Sequence, residues 1–293
     1  MFEKIKAKIL FEKFLGRPDI SLAYKKVGED DPWFETINKV HTSLDKILKL
    51  DHEVLEIHSE DGYLLKGIYY PCVGSKKTVI CIHGYTSHAE REWAFNGLFY
   101  HELGYNVLIP YQRAHGISEG KYITFGALES KDSILWAKKI NSLVEDGEII
   151  FHGLSMGGGV LLNLCDLEIK NVKGLIIDAP SLSISKLFDN VSKEFFKGKS
   201  DKIAYLCKKR FNEEFDVDIE DYNGLERVKN SRYSILLARG ENEKLQEYFD
   251  EIIKSNPNKT KVVVLKGCDH GNGMYKETEV FQSAIKEFLT EVM

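Results

Sequence analysis

The sequence has few cysteines, and none of them is spaced as in a metal site or a redox motif. The five cysteines are scattered along 293 residues and are odd in number. Secreted disulfide frameworks use an even set at regular spacings, and zinc or thioredoxin-like sites use C-x-x-C pairs. The histidines also lack H-E-x-x-H spacing. We therefore expect reduced thiols in a cytoplasmic protein, and no metal ion.

Long apolar runs are absent as well. No stretch approaches the roughly 18 uninterrupted apolar residues that a membrane-spanning helix needs. Residues 1–10 carry a charge at every second or third position, unlike a signal peptide. We expect neither a membrane span nor a secretion signal. Because this segment is basic and partly apolar, it is expected to form an amphipathic helix on the domain, with weak surface association as the alternative.

The charge balance lacks an excess of basic residues. The chain has 40 Lys plus Arg against 45 Asp plus Glu, with a net charge of -5 and the two signs interspersed. This distribution provides no basic surface for nucleic acid and favours small-molecule partners. The length suits one large α/β domain with an insertion. The oligomeric state does not follow from these features.

Apolar patterning predicts a mostly parallel sheet. Two alternating segments flank Asp61-Gly62, which indicates an antiparallel hairpin. Short apolar runs then alternate with helical stretches, which is typical of a parallel sheet with helices on both faces. Residues 1–50 are expected to form a helical extension, and residues 51–293 the α/β domain. The eight expected strands cover residues 54–58, 63–70, 78–82, 105–109, 148–151, 172–177, 233–238 and 261–265.

The regular strand spacing is interrupted between residues 177 and 233. About 50 residues intervene there, which is longer than an ordinary crossover. The segment is rich in aromatic residues at helical spacing, among them Phe195 and Phe196. We expect an inserted helical cap over residues 181–230 that lies over Ser155. Its aromatic residues either pack on the domain or line an acyl pocket.

A G-x-S-x-G pentapeptide, residues 153–157, lies between an apolar run and a helical stretch. Flanking glycines allow the sharp strand-to-helix turn that exposes a nucleophilic serine. Ser155 is therefore the candidate nucleophile. The following helix directs its N-terminus toward the serine, so the Met156 N–H group is a candidate oxyanion donor.

Other candidate groups follow neighbouring strands, because the carboxyl ends of parallel strands meet at one edge of a sheet. The turn His83-Gly84-Tyr85 follows the third strand, and Tyr85 is the candidate second oxyanion donor. His270 follows the eighth strand and is the candidate base.

The acid that would orient His270 has three candidates. Glu243, in the loop after the seventh strand, is preferred because the order serine, acid, histidine matches the α/β-hydrolase fold. Glu241 lies in the same loop, and Asp178 ends the sixth strand. Asp269 is disfavoured because adjacent side chains in a loop generally diverge.

These motifs make the chain resemble bacterial α/β-hydrolases of the serine aminopeptidase-like, esterase-like and lysophospholipase-like group. The resemblance covers residue 53 to the end of the chain. It implies the α/β-hydrolase fold and a cofactor-independent serine hydrolase. The matching segments are residues 83–87, 111–121, 152–157, 239–243 and 267–270.

Two loops depart from the pattern of that group. The loop after the fourth strand usually reads D-x-R-G-H-G-x-S, and here Tyr111 and Ala114 replace the aspartate and the first glycine. The loop after the seventh strand usually reads H-G-x-x-D, and here Arg239 and Glu243 replace the histidine and the aspartate. A different loop geometry is therefore expected around residues 111–114.

The sequence thus predicts a hydrolase that cleaves a carboxylester of a small acyl substrate through an acyl-enzyme intermediate. A thioester or an aminopeptidase-like substrate is the alternative within this class. The alternative from another class is a noncatalytic protein of the same fold that binds a ligand, which the departures in the two loops would favour.

Overall fold

The computed structural model describes residues 2–20, 27–31 and 33–293. Two helices, α1 (Phe2–Leu15) and α2 (Phe34–Ile47), precede the sheet. The eight strands are β1 (Glu53–His58), β2 (Leu64–Tyr70), β3 (Lys77–Ile82), β4 (Asn106–Pro110), β5 (Glu148–Leu154), β6 (Val172–Asp178), β7 (Ser234–Gly240) and β8 (Thr260–Leu265).

Helices connect the strands. They are α3 (Ala89–Glu102), α4 (Ala127–Leu143), α5 (Met156–Leu162), α6 (Ile184–Phe195), α7 (Ser200–Phe215), α8 (Gly224–Val228), α9 (Gln246–Ser255), α10 (Gly273–Lys276) and α11 (Thr278–Val292), with a short 3₁₀ helix at Ile219–Asp221. The helices α6 to α8 lie between β6 and β7, where the sequence predicts the insertion.

The strands form one sheet in the order β1-β2-β4-β3-β5-β6-β7-β8. The pairs β1/β2 and β2/β4 are antiparallel, and all other neighbours are parallel. Every residue of β4 is buried. Because successive side chains point to opposite faces, both faces of this central strand are covered. The predicted fold class, a mostly parallel eight-stranded sheet, is confirmed.

The hydrophobic interior consists of two clusters. The larger contains the sheet and the helices against it, with Trp93 and Trp136 among its largest buried side chains. The smaller joins α1, α6 and α7 to Met156 at the carboxyl edge of the sheet. Helix α1 therefore packs with the insertion, whereas α2 packs against α3. The domain division at residue 50 stays a prediction.

Within the described residues, no helix is long and apolar enough to cross a membrane. No group of three or more metal-ligating side chains occurs in the same part of the chain. All five cysteines are unpaired, and four of them are buried.

Candidate active site

Ser155 lies at the sharp turn between β5 and α5. Its φ of 56° and ψ of -113° place a non-glycine residue in a sparsely populated backbone region. A side chain at Gly157 would collide with the carbonyl oxygen of Ile82, and one at Gly153 would collide with the backbone of Gly157. The turn is anchored by the Ser155 N–H group, which donates to the Asp178 carbonyl at 2.9 Å. Packing around the turn thus requires both glycines of the motif.

His270 reaches Ser155 from the loop after β8. Its Nε2 lies 2.9 Å from the Ser155 Oγ. The loop bends at Gly271, which has a φ of 73°. It is held by Asn272, a buried residue whose Oδ1 accepts from the Asp269 N–H group at 2.9 Å. Asn272 was not singled out from the sequence, where no pattern distinguishes it from other loop asparagines.

Glu243 lies on the other side of His270. The His270 Nδ1 is 3.0 Å and 3.1 Å from the two carboxylate oxygens of Glu243. The Glu243 side chain is 5% exposed, whereas that of His270 is 54% exposed. The hydrogen bond to Glu243 is the main cause that raises the pKa of His270 above its usual value. The three predicted residues are therefore brought into one hydrogen-bonded line.

The competing carboxylates have other surroundings. The Glu241 Oε2 accepts from the Gly267 N–H group at 2.9 Å and so braces the histidine loop. Asp178 is buried, and its Oδ2 has no hydrogen-bond partner among the described residues. Burial raises the pKa of Asp178 to about 7. Within the described chain, neither carboxylate is hydrogen-bonded to His270.

The turn after β3 contains a carboxylate contact that the sequence did not reveal. The Gly84 N–H group donates to the Glu92 Oε1 at 2.7 Å. The protein around this carboxyl group excludes water and raises the pKa of Glu92 to about 7. Because Glu90 and Glu92 both lie in the first turn of α3, the sequence alone does not indicate which one reaches the turn. With the Gly84 donor engaged, the Tyr85 N–H group is the candidate oxyanion donor on this side.

The other histidines beside tight turns have structural contacts. His83 is buried, and its Nδ1 donates to the Gly84 carbonyl at 2.8 Å while its Nε2 accepts from the Gln112 N–H group at 3.1 Å. His152 contacts the Tyr100 hydroxyl at 2.8 Å, and burial lowers the pKa of His152 to about 3. Burial lowers the pKa of both histidines, so both rings are held neutral.

Both departures from the group pattern are accommodated. Ala114 has a φ of 59°, so the alanine occupies the left-handed conformation that glycine adopts without strain. The Tyr111 hydroxyl donates to the Glu90 Oε2 at 2.9 Å. Arg239 is hydrogen-bonded to the Gln246 side chain and lies beside the Phe249 ring. Ala114 thus adopts the left-handed conformation, and a loop geometry that differs from that of the group stays a prediction.

A cleft with a volume of about 370 Å³ opens onto Ser155 and His270. Helix α2 contributes Thr36, Ile37 and Val40 to its lining, and α3 contributes Arg91 and Glu92. No residue of the described insertion lines it. The lining residues of the cleft are Trp33, Thr36, Ile37, Val40, Gly84, Tyr85, Ser87, Arg91, Glu92, Leu154, Ser155, His270, Gly271 and Tyr275.

The insertion and α1 pack near the turn that carries Tyr85. The Phe14 ring of α1 lies 5.7 Å from the Tyr85 ring and 6.2 Å from the Phe188 ring of α6, measured between centroids. The Tyr85 hydroxyl also donates to the Phe14 carbonyl at 2.8 Å. Helix α1 thus lies between the insertion and the turn that carries Tyr85.

Comparisons with known proteins agree with this arrangement. The family described as serine aminopeptidase, S33, matches residues 74–213. The uncharacterized protein YqkD of Bacillus subtilis (strain 168) is 33% identical over 138 residues, which are 45% of this chain and 43% of that protein. The chain thus matches less than half the length of this curated relative.

Solved structures extend the likeness over most of the chain. An esterase of Pyrococcus furiosus, Pf2001, is 28% identical and has a TM-score of 0.65, covering 85% of this chain and 94% of that one. Est1E of Butyrivibrio proteoclasticus, solved with ferulic acid, has a TM-score of 0.61 at 19% identity, covering 81% of this chain and 98% of that one. The latter likeness is one of fold alone. Sheet order, family match and structural likeness agree that the chain has the α/β-hydrolase fold.

Proposed function

We propose that this protein is a serine hydrolase that cleaves a carboxylester through an acyl-enzyme intermediate. The observation that carries the proposal is the line of hydrogen bonds from the Ser155 Oγ through the His270 ring to Glu243, with distances of 2.9 Å and 3.0 Å. This is the arrangement of nucleophile, base and orienting acid.

The chemistry follows from these contacts. His270 Nε2 takes the Ser155 proton as Oγ attacks the substrate carbonyl, and then gives it to the leaving alcohol. A water molecule, activated by the same nitrogen, releases the acid in the second half of the reaction. Glu243 holds a proton on Nδ1, so that Nε2 is free to accept, and stabilises the imidazolium ion.

The charge on the tetrahedral oxygen would be met by two backbone donors. The Met156 N–H group belongs to the first turn of α5, whose initial N–H groups have no partner within the helix. The Tyr85 N–H group lies in the turn that Glu92 holds through Gly84. Among the described residues, neither N–H group has a hydrogen-bond partner. Both therefore remain available to an oxyanion.

A carboxylester is favoured over an amide by the surroundings of Ser155. The cleft has a volume of about 370 Å³ and combines apolar side chains such as Trp33 and Ile37 with polar groups close to Ser155, which suits a small acyl substrate. A similar solved structure, at 28% sequence identity, is an esterase of Pyrococcus furiosus. We also propose that residues 181–230 form a cap, and that the unpaired thiols work in a reducing, cytoplasmic compartment.

Labelling with an active-site fluorophosphonate tests the proposal. We expect one equivalent of probe on Ser155 and none in the Ser155→Ala variant, because stoichiometric reaction requires an activated serine. A panel of p-nitrophenyl esters, acyl thioesters and aminoacyl amides then identifies the substrate class. Wild-type protein that is folded but unlabelled would instead support a noncatalytic binding protein.

A further inference from the structure

Helix α1 is apolar on two opposite faces. Its inner face, which contains Ala7, Leu10 and Phe11, is buried against the insertion. The remaining apolar residues follow the spacing i, i+3, i+7 and so share the opposite face. These residues are Phe2, Ile5 and Ile9, which are 77%, 51% and 58% exposed. A helix with only one face packed leaves this second apolar stripe without a partner in the described chain.

Lysines lie on both sides of α1. Lys6 and Lys13 follow one border of the stripe, whereas Lys4 and Lys8 lie on the side of α7, where they line a groove with Lys209 and Arg210. All four lysines are exposed, and the Lys6 Nζ lies over the Phe196 ring at 5.4 Å from its centroid. The acidic residues of α1 are engaged elsewhere, since Glu3 pairs with Lys199 at 2.7 Å and Glu12 pairs with Arg210. The outer face of α1 is therefore apolar and locally cationic, although the whole chain has a net charge of -5.

We propose that this outer face binds the surface of an anionic phospholipid bilayer. Interfacial helices insert an apolar stripe at the level of the headgroups while lysines contact anionic lipids. A second copy of the chain fits less well, because two such faces brought together would oppose lysine to lysine. The ion pairs of Glu3 with Lys199 and of Glu12 with Arg210 hold α1 on the insertion, so the stripe is presented by a fixed helix.

Co-sedimentation of the full chain with vesicles tests this proposal. We expect binding to vesicles of phosphatidylcholine with 30% phosphatidylglycerol, at about tenfold or greater excess over pure phosphatidylcholine, and weakening with added salt. The double variant Ile5→Asp/Ile9→Asp should lose at least about tenfold in partitioning, because the stripe loses apolar area and gains like charge to the lipid. The charge variant Lys6→Glu/Lys13→Glu, which changes the lysines that border the stripe, should lose binding while keeping the stripe.

Val280→Asp, on α11, is the matched control, since this side chain is 47% exposed and lies far along the chain from α1. Thermal unfolding of each variant separates loss of binding from loss of fold. Wild-type protein that stays in the supernatant, or an Ile5→Asp/Ile9→Asp variant that binds like wild type, overturns the proposal. A change of mass in light scattering that the double variant abolishes, without vesicle binding, assigns the stripe to a second copy instead.

Discussion

The role of Glu243 can be tested by replacing its carboxylate with an amide. In Glu243→Gln the side chain keeps its length but loses the charge that faces the His270 Nδ1 at 3.0 Å. Charges about 4 Å apart attract by about 4 kcal/mol at the dielectric constant effective near a protein surface, which corresponds to about 10³-fold in rate. Water around the half-exposed His270 reduces this figure, and loss of the correct tautomer increases it. We expect turnover to fall by about 10²- to 10⁴-fold.

The assay is hydrolysis of p-nitrophenyl acetate, with the rate of fluorophosphonate labelling as a readout that does not depend on the natural substrate. Glu241→Gln is the matched control, because its carboxylate contacts the Gly267 N–H group and not His270. It should cost less than about tenfold, the effect of a neutral loop contact. Asp178→Asn should be intermediate, since the buried Asp178 charge acts on His270 only from a distance. Turnover of Glu243→Gln within tenfold of wild type, or a larger loss in Asp178→Asn, would refute this assignment of the acid.

Three further predictions concern the turn, the base and the cleft. Gly157→Ala should lower the free energy of unfolding by about 2–4 kcal/mol in urea denaturation, because the added methyl group collides with the Ile82 carbonyl oxygen. An unchanged denaturation midpoint would contradict this close contact. The rate constant kcat/KM should rise with pH through a midpoint above 6.5, because His270 acts as a base only when neutral and Glu243 raises the pKa of His270. A midpoint below 6.5 in a pH–rate profile would exclude this ion pair. Trp33→Ala should change the preference for long over short acyl esters more than Phe195→Ala does, because Trp33 lines the cleft while Phe195 is 66% exposed. The reverse result would support an acyl pocket in the insertion.

Local patterns were sufficient to predict the fold class and the sharp turn at Ser155. Strand positions follow from short apolar runs, because a strand buried on both faces must be apolar at every position. The turn at Ser155 follows from its two glycines, because a side chain at either position collides with backbone that is adjacent in any such junction. The eighth-strand histidine follows from chain order.

Contacts between distant segments were decided only by tertiary structure. Glu241 and Glu243 lie two residues apart in one loop, and the packing of the β7 and β8 loops directs Glu243 to His270 and Glu241 to Gly267. Likewise, helical spacing predicts that the segment before the sheet is amphipathic, but it does not determine that α2 forms a wall of the cleft while α1 contacts Tyr85. The physical reason is that periodicity specifies which face of an element is buried, whereas the surface that buries it depends on where the whole chain brings the elements together.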